Sequence, residues 1–153
     1  MDKSILKQEC VKLMETADVM YLSTVGADGF PHTRAMANLR NKQQCRMAET
    51  LFKGHSEDFL VYMLTGDSMP KMRQIRANPK ISVYYCIPDG LHTLMLAGLA
   101  EEIADLKLKK RLWQGEWAQH WPSGPEDSEF VLLKMLPTFA KGFYKDKPFE
   151  FSL

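Results

Sequence analysis

The stretch Thr65-Gly66-Asp67-Ser68-Met69-Pro70-Lys71 gathers groups that can bind an anion. It follows an apolar run and opens a predicted helix, marked by Met72, Ile75 and Arg76 and stopped by Pro79. Asp67 or Ser68 reads as the cap, with Pro70 in the first turn. A helix start presents unpaired N–H groups at the positive end of its dipole. The hydroxyls of Thr65 and Ser68 and the ammonium of Lys71 add to these, which suits a phosphate monoester. Taken alone, the same residues also fit a capped surface helix with a solvated lysine. The spacing Ser68-x-x-Lys71 matches the nucleophile motif of serine β-lactamases, but the chain is short and has neither S-D-N nor K-T-G. No G-x-x-x-x-G-K phosphate loop is present either.

A second stretch, Pro31-His32-Thr33-Arg34-Ala35-Met36-Ala37-Asn38, reads as a strand. Alternation puts His32, Arg34, Met36 and Asn38 on one face. An arginine among small residues can reach a bound anion bidentately, although an exposed strand arginine fits as well. Trp113, Trp117 and Trp121 fall at i, i+4 and i+8, one face of a predicted helix. Such a stripe serves core or subunit interface more often than cofactor contact. His32, His55, His92 and His120 show no metal-ligand spacing, and no nucleophile–base set stands together in the sequence.

These residues need a scaffold, and 153 residues allow one compact domain. Hydrophobic residues make up 45% and charged residues 25%, enough for a core without staples. A net charge of +1 argues against broad nucleic-acid binding. Cys10, Cys45 and Cys86 are odd in number and scattered, which points to a reducing, cytoplasmic setting. No signal segment and no run of about 20 apolar residues is seen, so no membrane association is expected.

Leu6, Cys10, Leu13, Met14 and Ala17 mark an amphipathic helix that Asp2 or Ser4 caps. Six strands are then predicted, over 19–25, 30–39, 58–65, 81–87, 93–103 and 130–136. Gly26-Ala27-Asp28-Gly29 and Pro88-Asp89-Gly90 read as turns, and Gly98 as a bend. Residues 40–57 read as a long loop with at most one helical turn. Asp105 caps a helix that carries Leu108, Leu112 and Trp113, weakened at Gly115 and ended by Pro122. The tail from Thr138 returns to the body. The expected fold class is mainly β, a barrel with peripheral helices.

In order and spacing these motifs resemble the pyridoxamine 5′-phosphate oxidase-like family of FMN-binding split barrels, and more closely its general stress protein branch. The strand, the Gly-x-Asp-Gly turn, Pro31 to Met36 and the Thr65-x-x-Ser68-x-x-Lys71 helix start carry the likeness, together with Leu94–Glu102 and Trp117–Ser128. It covers roughly residues 5–145. The resemblance implies a six-stranded antiparallel split barrel and a homodimer with FMN at the subunit interface. It implies phosphate contacts from Arg34, Thr65, Ser68 and Lys71, backbone along the flavin at Ala35 and Met36, and Trp121 approaching from the partner subunit. It also implies flavin-dependent oxidoreduction of a small-molecule substrate, without naming catalytic residues. A flavin-binding or redox-sensing stress protein and a haem-binding split barrel are the alternatives. The pyridoxal-binding residues of the true oxidase and its arginine-rich end find no match here.

Overall fold

The structure is a computed structural model that describes residues 1–153 apart from 88 and 90. Helix α1 (Lys3–Thr16) starts where the Asp2 carboxylate accepts the Ser4 N–H at 2.7 Å. It buries Cys10, Leu13 and Met14 against the sheet strands β4 (Lys80–Cys86) and β5 (His92–Ile103). Strand β1 (Val19–Val25) alternates strictly and buries Met20, Leu22 and Thr24. The turn to β2 (Pro31–Ala37) is closed by a Gly29 N–H to Gly26 carbonyl bond, with Gly29 at φ 79°.

The sheet runs in the order β2-β1-β4-β5-β6-β3, all antiparallel, where β3 is Val61–Gly66 and β6 is Phe130–Tyr144. The two edges, β2 and β3, touch without a paired register among the described residues. The sheet is therefore a curled, split barrel, as expected, with a seam between its two edges. Between them, residues 38–60 form more than a loop. Leu39, Cys45, Ala48, Phe52 and Leu60 make a second small core, with α2 (Ala48–Leu51) inside it. The guanidinium of the buried Arg40 lies 4.4 Å from the Phe52 ring centroid and donates to the carbonyls of His55 and Leu60.

Three expectations need correction. The strand predicted to end at Leu136 continues through Pro137 to Tyr144, and the tail is a seventh strand, β7 (Lys147–Ser152), paired with β6. Pro137 is tolerated because the register shifts opposite it, between Ala97 and Gly98. Gly98 has to be glycine there: a Cβ would stand 2.9 Å from the Leu136 carbonyl oxygen. The hairpin to β7 turns on Lys145 and Asp146, both at positive φ (49° and 61°).

The tryptophans do not share a helix. Asp105 does cap α4 (Leu106–Leu112), accepting from the Lys107 and Leu108 N–H groups, but the helix stops before Trp113. Gly115–Gln119 is a separate tight turn of helix. The cap of α3 (Pro70–Ala77) is Met69, with no side-chain bond, rather than Asp67 or Ser68. The predicted turn at 88–90 rests on Pro88 and Gly90, outside the described residues.

Candidate functional site

Along the open seam lies a cleft of about 490 Å³. One wall is β2, at Ala35, Met36 and Ala37; the other is β3, at Leu64, Thr65 and Gly66. Lys71 closes one end, and Trp117, His120 and Trp121 line the rest with Glu129. Alternation along β2 leaves Ala35 and Ala37 exposed while Met36 turns into the core, so the cleft meets small side chains and strand backbone. A flat ring can approach such a wall closely.

The tryptophans reach this cleft by packing, not by helical periodicity. Their rings surround Phe130: its centroid lies 5.2 Å from that of Trp113, 6.4 Å from that of Trp117 and 4.9 Å from that of Trp121. Trp113 backs the cluster, whereas Trp117 and Trp121 line the cleft of their own chain.

At the Lys71 end two cations stand together. Lys71 Nζ donates to the buried Thr65 Oγ1 at 3.1 Å. Arg34 is held from behind: Nη1 donates to Thr24 Oγ1 at 2.8 Å and Nη2 to Gln74 Oε1 at 3.2 Å. Thr24 in turn donates to the same Gln74 oxygen. Partial burial lowers the pKa of both cations, and the Arg34 charge lowers that of Lys71 further. Among the described residues neither forms an ion pair with a carboxylate. Two like charges sharing a partly desolvated corner, bonded only to neutral groups, are suited to an anion with two negative charges.

Of the residues singled out in the sequence, Ala35, Met36, Thr65, Lys71 and Trp121 line the cleft. Arg34 lies beside Lys71 without lining it. Ser68 is exposed at the mouth of α3, and its N–H donates to Glu129 Oε2 at 3.0 Å. The Asp67 and Met69 N–H groups are likewise taken, by the carbonyls of Glu129 and Gly66. The three N–H groups just ahead of α3 are therefore bonded within the chain. Asp67 pairs with Arg76 instead of capping. Gln74 and Glu129 escaped the sequence reading because nothing in their spacing marks them. Glu129 is far along the chain from Ser68, and Gln74 reads as an ordinary polar helix residue.

Cys10, Cys45 and Cys86 are free, and burial pushes the Cys10 thiol up to about 12, so it is inert. Among the described residues no cluster of His, Cys, Asp or Glu is placed to hold a metal ion. No helix among them is long and apolar enough to cross a membrane.

The family model described as pyridoxamine 5′-phosphate oxidase matches residues 6–141. Among curated proteins none matches at a significant level. Among solved structures, a Clostridium acetobutylicum protein related to general stress protein 26 of B. subtilis superposes with TM-score 0.77. It is 21% identical, over 100% of this chain and 97% of that chain. General stress protein 26 from Bacillus anthracis gives TM-score 0.70 at 26% identity, covering 97% of this chain and 98% of that one. A pyridoxamine 5′-phosphate oxidase-related, FMN-binding protein from Nostoc punctiforme gives 0.59 at 16% identity, over 90% of this chain and 80% of that one.

Proposed function

The chain belongs to the pyridoxamine 5′-phosphate oxidase family, and from that premise we propose that its seam cleft holds flavin mononucleotide by the phosphate. The observation that carries this reading is the Arg34–Lys71 pair, two neighbouring cations with neutral partners at one end of a cleft lined by tryptophan. A phosphate monoester, which carries between one and two negative charges at neutral pH, balances both. Thr65 adds a hydroxyl. The strand backbone at Ala35 and Met36 runs along the isoalloxazine, and Trp121 covers an apolar face of it.

A bound flavin supplies hydride and one-electron chemistry. The chain supplies position, charge and exclusion of water. The reading is an oxidoreductase acting on a small molecule in the cytoplasm; a flavin-binding redox sensor without turnover is its alternative. Turnover of NAD(P)H above the free-flavin rate separates the two.

We extend the reading to a homodimer. Leu99 and Leu136 are direct cross-strand partners, yet 57% and 51% exposed, which suits an interface with a second copy. Sedimentation of the flavin-loaded protein as a monomer at micromolar concentration contradicts it.

His120 on the cleft rim is the one feature that favours haem, as a nitrogen ligand. The absorption spectrum of the purified protein decides. Two broad bands in the near ultraviolet and blue support flavin, and a sharp Soret band overturns it. Release and identification of the bound group then tests FMN itself.

A further inference from the structure

The cleft that Lys71 closes also carries a carboxylate. Among the described residues on its walls, Lys71 is the one lysine or arginine and Glu129 the one acid. The strand register brings Glu129 there. Gly66 at the end of β3 pairs with Phe130 at the start of β6, so the chain just ahead of β6 runs beside the chain just after β3. The Glu129 carbonyl accepts the Asp67 N–H at 3.0 Å, and its carboxylate accepts the Ser68 N–H at 3.0 Å. A Cβ on Gly66, itself a wall of the cleft, would stand 3.5 Å from that carboxylate oxygen. Thr65, the residue before Gly66, accepts the Lys71 ammonium. Glu129 and Lys71 therefore bond to one short segment, residues 65–68, and carry opposite charges into one cleft.

The negative charge of Glu129 has no counterpart of its own. Asp67, the other acid of this segment, pairs with Arg76, which also pairs with Glu102. Glu129 is exposed and forms no ion pair among the described residues. Its bond to Ser68 does not need the charge, because an amide oxygen accepts a backbone N–H equally well. What the carboxylate adds is repulsion. It sets a negative charge beside the corner where Arg34 and Lys71 stand ready for an anion, and it withholds the Ser68 N–H from that anion.

We propose that Glu129 is a specificity-determining residue of the cleft: it opposes the ligand's phosphate and holds the preference for FMN over riboflavin below the level that Arg34 and Lys71 alone would set. The inference rests on the flavin reading above. Glu129→Gln tests it, since it removes the charge and keeps an acceptor for the Ser68 N–H. Glu129→Lys reverses the charge. Glu126→Gln is the control, the same change of charge at an exposed acid just earlier in the chain, paired with Lys110 and off the cleft wall. Titration calorimetry of the parent and the three variants with FMN and with riboflavin is the measurement. Glu129→Gln should tighten FMN about three- to tenfold, the effect of one partly screened charge, and Glu129→Lys should tighten it further. Riboflavin should stay within about twofold in both, because it lacks the phosphate that the charge acts on. Glu126→Gln should leave both ligands within about twofold. Raised salt should narrow the FMN gap between Glu129→Gln and the parent. If the parent and all variants fail to bind FMN, the flavin reading falls and this inference with it. If the parent binds FMN and Glu129→Gln binds it no more tightly, or tightens riboflavin equally, Glu129 only clasps the segment ahead of α3, and the flavin reading survives.

Discussion

Lys71 donates from its ammonium to the Thr65 hydroxyl, a neutral partner, while the like charge of Arg34 bears on it. A cation so placed is unfavourable in the ligand-free chain and becomes favourable when an anion arrives. On the flavin reading, the corner would be preorganised for the phosphate at the expense of stability.

Lys71→Met should therefore raise the thermal midpoint of the ligand-free protein while weakening FMN. The direction follows from linkage. Burial and Arg34 lower the pKa of Lys71 below its unfolded value of 10.5. Below that lowered pKa the charged form carries its full penalty, and stability recovers as pH rises toward 10.5. A scan of the parent without ligand between pH 8 and 10.5 should show this rise, and Lys71→Met should lack it. A drop in midpoint for Lys71→Met at pH 7 would mean that its bond to Thr65 outweighs the repulsion.

Trp121→Ala should change the fluorescence of bound flavin, and Trp113→Ala should change stability instead. Trp121 lines the cleft, whereas Trp113 stands behind it with its ring edge-on to Trp117 and Phe130. Truncating Trp113 should cost about 2–4 kcal/mol, toward the lower end for a large core aromatic because it is only partly buried. Denaturation and flavin emission of the two variants check the split. Equal flavin responses would reduce Trp121 to packing.

The strand register is sharply constrained at Gly142, opposite Leu94. A Cβ there would stand 2.0 Å from the Thr93 carbonyl oxygen, against 2.9 Å for the nearest atom at Gly98. Gly142→Ala should cost more than Gly98→Ala, beyond the roughly 1–3 kcal/mol of ordinary overpacking. Urea midpoints of the two variants measure the order, and the reverse order would contradict the close approach of β5 and β6.

His92 is buried edge-on to Tyr144, ring centroids 4.7 Å apart, and its Nε2 has no partner among the described residues. Burial lowers its pKa below the ordinary 6.5 despite the opposing charge of Glu9. The unfolded chain then binds the proton first as pH falls. Stability should be full above 6.5 and decline as pH drops from 6.5 through the lowered folded pKa. His92→Phe should flatten this decline in midpoints measured from pH 7.5 to 5. An unchanged slope would place the acid sensitivity elsewhere.

Local patterning made much of this molecule readable. Strand β1, the Gly26–Gly29 turn and the Asp105 cap lie where alternation and capping chemistry put them. So does the bend at Gly98, although its cause is non-local, the register shift opposite Pro137. Pro137 itself misled, because a proline ends a strand unless it sits at a bulge, and the extra residue Thr138 that makes β6 bulge against Ala97 and Gly98 shows only in the pairing. The tryptophans misled in the opposite sense. Their spacing imitates a helix face, yet the helix ends at Leu112 and Phe130 gathers the rings. For the candidate site, residue types pointed to Lys71 and Thr65. The partners that hold the corner, Gln74 behind Arg34 and Glu129 on the Ser68 N–H, come from tertiary structure alone.

The central claim is that Arg34 and Lys71 bind a flavin phosphate, and it is tested most directly by comparing FMN with riboflavin, which lacks only that phosphate. Titration calorimetry on the parent, Arg34→Ala and Lys71→Ala should show each substitution weakening FMN about ten- to hundredfold, the loss of one charge-assisted hydrogen bond. Riboflavin affinity should stay nearly constant across the three proteins. Ser68→Ala should lose less, since it removes one neutral hydroxyl and no charge. Raised salt should narrow the gap between the two ligands in the parent. FMN binding as tight in Arg34→Ala and Lys71→Ala as in the parent would contradict the account and leave α3 a surface helix with a solvated lysine.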